Sequence, residues 1–134
     1  PTNELYRFKP DREAFLGAMK YDADLIKDIK IPVVLHSENG RLYSYIKTER
    51  YEAFDSFDTK ENTMSNNPYI GFNPRYLADV FSIVDADEPI CTGSKDICPL
   101  IIKGNEYSFL LLPVNIRINK DEIIDAIEKN IERN

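Results

Sequence analysis

Tyr69-Ile70-Gly71-Phe72-Asn73-Pro74-Arg75-Tyr76-Leu77-Ala78-Asp79-Val80-Phe81 reads as a strand, a helix cap and an amphipathic helix in immediate succession. Asn73 is placed to accept a backbone N–H at the helix start, and Pro74 has the fixed φ suited to the first helical position. Leu77, Val80, Phe81 and Val84 recur at helical spacing, which predicts a helix from Pro74 to Val84 with one buried face. Extended runs at Pro89–Thr92, Leu100–Lys103 and Tyr107–Val114 follow, the last two separated by Gly104-Asn105.

The same order occurs upstream. A short strand at Leu5–Phe8 leads into Pro10-Asp11, which starts a helix carrying Phe15, Leu16 and Met19 on one side. Strands are expected at Ile31–His36, Leu42–Lys47 and Tyr51–Phe57, with Glu38-Asn39-Gly40 as the turn between the first two. Thr59–Pro68, polar and ending in Asn66-Asn67-Pro68, reads as a connector. The fold class is therefore α+β: a β-α-β-β-β unit used twice, alike in element order more than in residues.

At 134 residues and 43% hydrophobic, the chain suits one packed domain. No apolar run approaches the roughly 20 residues of a membrane span, and Pro1–Tyr6 lacks the apolar core of a secretory signal, so a soluble cytoplasmic protein is expected. The net charge of −6 argues against indiscriminate attraction to phosphate, although a clustered basic face is compatible with an acidic whole.

Catalytic constellations are scarce. Cys91 and Cys98 flank a hairpin loop and are expected to be reduced thiols, since one pair falls short of a four-ligand zinc site. His36, the single histidine, sits in an apolar strand and is expected to lack the partners of a triad or zinc centre. Asp22/Asp24 and Asp85/Asp87 read as acidic turn residues after helices. Tyr43, Tyr45, Tyr51 and Phe54 read as strand packing, and the scattered glycines form no phosphate loop. The chain is expected to have no enzymatic activity, metal or cofactor.

Three pieces together carry a family resemblance: Ser37-Glu38-Asn39-Gly40-Arg41-Leu42; Ile70-Gly71-Phe72-Asn73 with Tyr76-Leu77; and Cys98-Pro99-Leu100 followed by Tyr107–Ile116. Over most of residues 4–116 the chain resembles one domain of the bacterial DNA polymerase III β subunit, the sliding clamp, most nearly its carboxy-terminal domain. The resemblance implies a processivity-factor domain with its two helices on one face of the sheet, spanning residues 1–118; the appended amphipathic helix at 119–134 departs from the family, whose members typically stop near the position of Ile116. In that family six such domains close a ring around duplex DNA with the helices facing it. Partner proteins, including polymerases, insert a short peptide into an apolar pocket, and the clamp catalyses nothing in DNA replication.

Carried over by position, the pocket falls on Ile97, Pro99, Leu110, Leu112, Pro113 and Val114. Leu112 and Val114 stand where the family often has methionine, which implies a stiffer surface; Asn115 stands where it often has arginine. The alternative is that Leu110, Leu112 and Val114 face the core along one side of a strand. Arg12, Lys20 and Arg75 are the candidate DNA-facing residues. Asp11, Glu13, Asp22, Asp24, Asp28, Asp79, Asp85 and Asp87 surround them, so neither helix is basic and weak, salt-sensitive duplex binding is expected. Expected partners are proteins of polymerase or clamp-loader type bearing a short linear motif, and a ring requires self-association or membership of a longer protein. A standalone monomeric adaptor or decoy is the other reading.

The tail has its own signals. Asn119 and Glu122 match a capping box, Ile118 and Ile123 stand at staple positions, and Ile123, Ile127 and Ile131 make a stripe. The stripe has three destinations: its own domain, a second copy, or the peptide pocket.

Overall fold

Asp11 and Asn73 open the first two helices through their side chains. The computed structural model describes residues 6–26, 30–64, 68–94, 98–116 and 119–133. The Asp11 carboxylate accepts the Ala14 N–H at 2.9 Å and starts α1 (Arg12–Leu25), while the Asn73 side-chain oxygen accepts from Arg75 and Tyr76 and starts α2 (Pro74–Ile83). Each caps orphan donors of a first turn. Asn39 and Gly40 both have positive φ, 54° and 80°, as a two-residue turn between paired strands requires.

The remaining elements are β1 (Tyr6–Pro10), β2 (Val33–Glu38), β3 (Arg41–Lys47), β4 (Glu52–Met64), β5 (Tyr69–Phe72), β6 (Ile90–Gly93), β7 (Leu100–Lys103), β8 (Ser108–Leu111) and α3 (Lys120–Arg133). The strands pair antiparallel in the order β5-β2-β3-β4-β1-β6-β7-β8. The β-α-β-β-β order thus occurs twice, and each half lends its opening strand to the other: β1 pairs with β6, and β5 with β2.

Two expectations are corrected. Thr59–Met64 is not a connector but the second half of β4, where Thr59, Asn62, Thr63 and Met64 stand opposite Pro10, Phe8, Arg7 and Tyr6. A polar run becomes a strand here because its neighbour decides pairing more than its own propensity does. The final strand stops at Leu111 rather than running to Val114; Pro113 has no N–H to give. Val114 returns as a single bridge to Gly71, with its N–H 2.7 Å from the Gly71 carbonyl, and nearly closes the sheet. The expected strand residue Leu5, connector residues Asn66 and Asn67, and staple residue Ile118 lie outside the described residues.

Helices α1 and α2 pack side by side on the inner face over one core. Phe15 is central to it, its ring centroid 5.2 Å from Phe57 and 4.6 Å from Phe81. The helices also cap each other: the Arg12 guanidinium donates to the Ser82 carbonyl at 3.0 Å, and Arg75 donates to the Ala23 carbonyl at 3.2 Å. A cation at each carboxy terminus complements the helix dipole.

Helix α3 lies on the outer face. Ile127 is fully buried with Val34 and Tyr45, and Phe54, Tyr69, Ile123 and Ile131 pack around it. The isoleucine stripe therefore packs on its own domain. Burying Ile127 alone supplies about 2 kcal/mol toward holding a helix too short to persist unaided.

The Gly71 crossing sets a stability prediction. A Cβ there would lie 2.5 Å from the Ile116 side chain and 2.8 Å from the Val114 carbonyl oxygen. Gly71→Ala is expected to destabilise by about 2–3 kcal/mol through overpacking. Gly17→Ala, on an open face of α1, is expected to stabilise by about 0.5–1 kcal/mol. Urea melts of both variants check this; equal midpoints would refute it.

Candidate functional site

Alternation along β8 and its continuation sets the outer face of the second half. Leu111 points inward and is buried, whereas Leu110 and Leu112 on either side are 70% exposed. The core-facing alternative is thereby overturned for these two leucines, and Val114 is half-buried at the closing bridge. Leu110 borders a cleft of about 470 Å³ whose lining includes Ile90, Thr92, Cys98, Pro99 and Ile101. Ile90, Thr92, Ile101 and Leu110 come from three neighbouring strands, each pointing away from the core. Arg7 and Lys103 complete the rim, and Arg7 is held by Glu61 at 2.8 Å.

Of the sequence-derived pocket residues, Pro99 and Leu110 line this cleft. Leu112, Pro113 and Val114 continue from Leu110 without lining it, and Ile97 lies outside the described residues. No described residue of α3 lines the cleft either, so the third destination considered for the isoleucine stripe, the peptide pocket, has no support in the packing. The sequence reading missed Ile90, Thr92 and Ile101, although their outward register follows from the inward placement of Cys91, Leu100 and Ile102. Cys91 and Cys98 are free thiols, and burial pushes the Cys91 thiol well up from its ordinary range.

The exposed helix face is neutral to acidic. Arg12 and Arg75 are tied to the helix ends described above, and Arg12 also pairs with Glu13 at 2.5 Å. Lys20 is exposed beside Tyr21 and Asp24, while Tyr76, Asp79 and Ile83 lie exposed on α2. Few cations are left to displace counterions from phosphate.

Asp22, expected in a turn, is inside α1 and fully buried. Neither carboxyl oxygen has a hydrogen-bond partner among the described residues, and burial, with a lesser contribution from Asp55, raises its pKa to about 7. Asp85 is a turn support: its carboxylate accepts the backbone N–H of Asn105 and of Glu106 at 2.9 and 3.0 Å. His36 does not lack partners. Glu38, two residues on and on the same strand face, and Glu128 from α3 converge on its ring. The aromatic residues split: Tyr43 and Phe54 stack at 5.4 Å and Tyr45 is buried under α3, but Tyr51 is exposed.

No protein-family model and no curated protein matches the chain. Solved structures do. A protein described as a DNA polymerase III β subunit from Eubacterium rectale superposes with a TM-score of 0.77 at 21% identity, covering 86% of this chain and 32% of that one. The sliding clamp of Bartonella birtlesii bound to griselimycin gives 0.75 at 25% identity, covering 87% of this chain and 32% of that one. The DNA polymerase III β subunit of Pseudomonas aeruginosa gives 0.75 at 20% identity, covering 86% and 32%. The chain spans about a third of the length of these proteins and has the fold of a single sliding-clamp domain.

Proposed function

We propose, from the premise of a sliding-clamp fold, that this chain is a non-catalytic docking module of DNA replication, a processivity-factor domain that holds partner proteins by a short peptide. The outer-face cleft at Pro99 and Leu110, with Leu112, Pro113 and Val114 beyond it, takes one or two large apolar anchors of a linear motif on a polymerase or clamp-loader type protein. The observation that carries this reading is the pair of leucines 70% exposed on either side of a buried one, beside a preformed cleft. Anchors entering it gain about 25 cal/mol per Å² buried before ordering costs.

Tethering to DNA requires a closed ring, and a single domain reaches one through self-association or as part of a longer chain. Two strand edges suit it. The Glu52–Asp58 stretch of β4 pairs with β3 and the Ser108–Leu111 stretch of β8 with β7, each leaving its other edge unpaired among the described residues. A second reading, a monomeric adaptor or decoy that occupies clamp partners without encircling DNA, is favoured by one observation: two of the three candidate DNA-facing cations cap helices instead.

Light scattering at low and high salt, with titration of a fluorescent clamp-binding peptide, separates the two. A ring of six copies supports the tether, and a peptide-binding monomer supports the adaptor. Duplex binding is expected to be weak at about 50 mM salt and lost by about 200 mM. Tight duplex binding at the higher salt would refute the acidic-face account, and absence of peptide binding would refute both readings.

A further inference from the structure

Away from the cleft, His36 brings together groups that repel unless a positive centre lies among them. The ring is 1% exposed, on the outer face of β2. Its Nδ1 is 3.1 Å from the Pro68 carbonyl oxygen, which only accepts, so Nδ1 carries the hydrogen. In the neutral ring Nε2 then presents a lone pair, 2.9 Å from Glu38 Oε2 and 3.8 Å from Glu128 Oε1. Ionised carboxylates also only accept. Three acceptors therefore converge within 4.8 Å of one another.

The surroundings orient these atoms as supporting groups do at metal centres. Tyr69 stacks on the imidazole with ring centroids 3.8 Å apart and planes 4° from parallel, and its hydroxyl donates to Glu128 Oε1 at 2.6 Å. A histidine whose far nitrogen is fixed by a backbone carbonyl has its tautomer set for ligation through Nε2.

We propose that His36, Glu38 and Glu128 form a site for a first-row divalent cation, zinc in particular, that fastens α3 to the sheet. Zinc takes imidazole nitrogen and carboxylate oxygen at about 2.0–2.1 Å, which sets tetrahedral donor atoms about 3.3 Å apart. Glu38 moves out slightly and Glu128 in slightly to meet that spacing. One imidazole with two carboxylates suits zinc better than calcium or magnesium, which collect six or more oxygens. A solvent molecule completes the shell. The ion links β2 to a helix some 90 residues further on, so its binding is read as docking of α3.

The test uses the full chain, stripped with chelator, in a Cys98→Ser background that removes the more accessible thiol. Zinc at about 100 µM is expected to raise the melting temperature by several degrees, chelator to reverse the rise, and equimolar magnesium to leave it unchanged. Cobalt substitution is expected to give the visible absorption of a four-coordinate site. Glu128→Gln still accepts the Tyr69 hydrogen bond, and Glu38→Gln lies at the rim; both are expected to keep the metal-free melting temperature within about 2 °C and to lose the zinc response. A wild-type chain indifferent to zinc, with no cobalt band, would overturn the site in favour of a doubly protonated His36 paired with the two carboxylates. A zinc response that survives in both glutamine variants would overturn it as well.

Discussion

Leu110→Asp is expected to weaken binding of a fluorescent clamp-binding peptide at least about 30-fold while leaving the far-ultraviolet circular dichroism spectrum and melting temperature unchanged. The leucine is 70% exposed and holds no part of the core, so the fold has little to lose. The cleft has much to lose. An apolar anchor that would have packed against Leu110, Pro99 and Ile101 now has to desolvate a carboxylate, which costs more than the roughly 2 kcal/mol of lost burial. Lys20→Ala, on the helix face, serves as the control and leaves the peptide affinity alone. Unchanged affinity in Leu110→Asp would remove the cleft from the function, whatever the assembly state.

Asp22→Asn is expected to stabilise the domain by about 2–4 kcal/mol at pH 8 and to have little effect near pH 4. The folded chain keeps a proton on Asp22 up to about pH 7, chiefly because burial penalises the charge and secondarily because Asp55 lies near. The unfolded chain releases it near the ordinary 3.8. Between those values the folded state binds more protons. The stabilising contribution is therefore full below about pH 4, declines as pH rises, and is gone above about pH 7. Burial shifts Asp55 in the same direction and adds to the slope. Denaturant melts at intervals from pH 4 to pH 8 check this; a wild-type stability flat across that window, or a variant no more stable at pH 8, would refute it.

What sequence alone disclosed was whatever neighbouring residues settle among themselves. Asp11 and Asn73-Pro74 cap their helices within three residues, Asn39-Gly40 adopts the positive φ its turn needs, and the helical spacing of Leu77 and Phe81 places both in the core. Much of what escaped is decided at long range. Thr59–Met64 is a strand because β1 lies beside it, and no local pattern in that polar run announces it. Arg12 and Arg75 donate to carbonyls 70 and 52 residues away, so where these two cations sit on the helix face is set by contacts that no local pattern announces. Asp22 looked like a turn residue because the helix was expected to end sooner. The partners of His36 come partly from a helix more than 80 positions downstream, beyond the reach of any spacing rule.

Of the candidate site, alternation put Leu110 and Leu112 on one face of the last strand but left open whether that face was core or solvent, and only the folded sheet shows both exposed. The cleft beside them was not legible, because Ile90 and Ile101 belong to strands whose register against β8 only the folded sheet sets.

The loan of an opening strand by each half has a consequence for how the protein is made. A nascent chain that has emerged only as far as residue 64 holds β1 without β6, and β2 still waits for β5. Neither repeat closes its own sheet, so β2 stays unsealed until Phe72 has emerged from the ribosome and β1 until Gly93 has. Pairings of this separation are slow to form, and the interval exposes unsealed edges to other chains. Duplication has here yielded two interlocked halves rather than two independent ones.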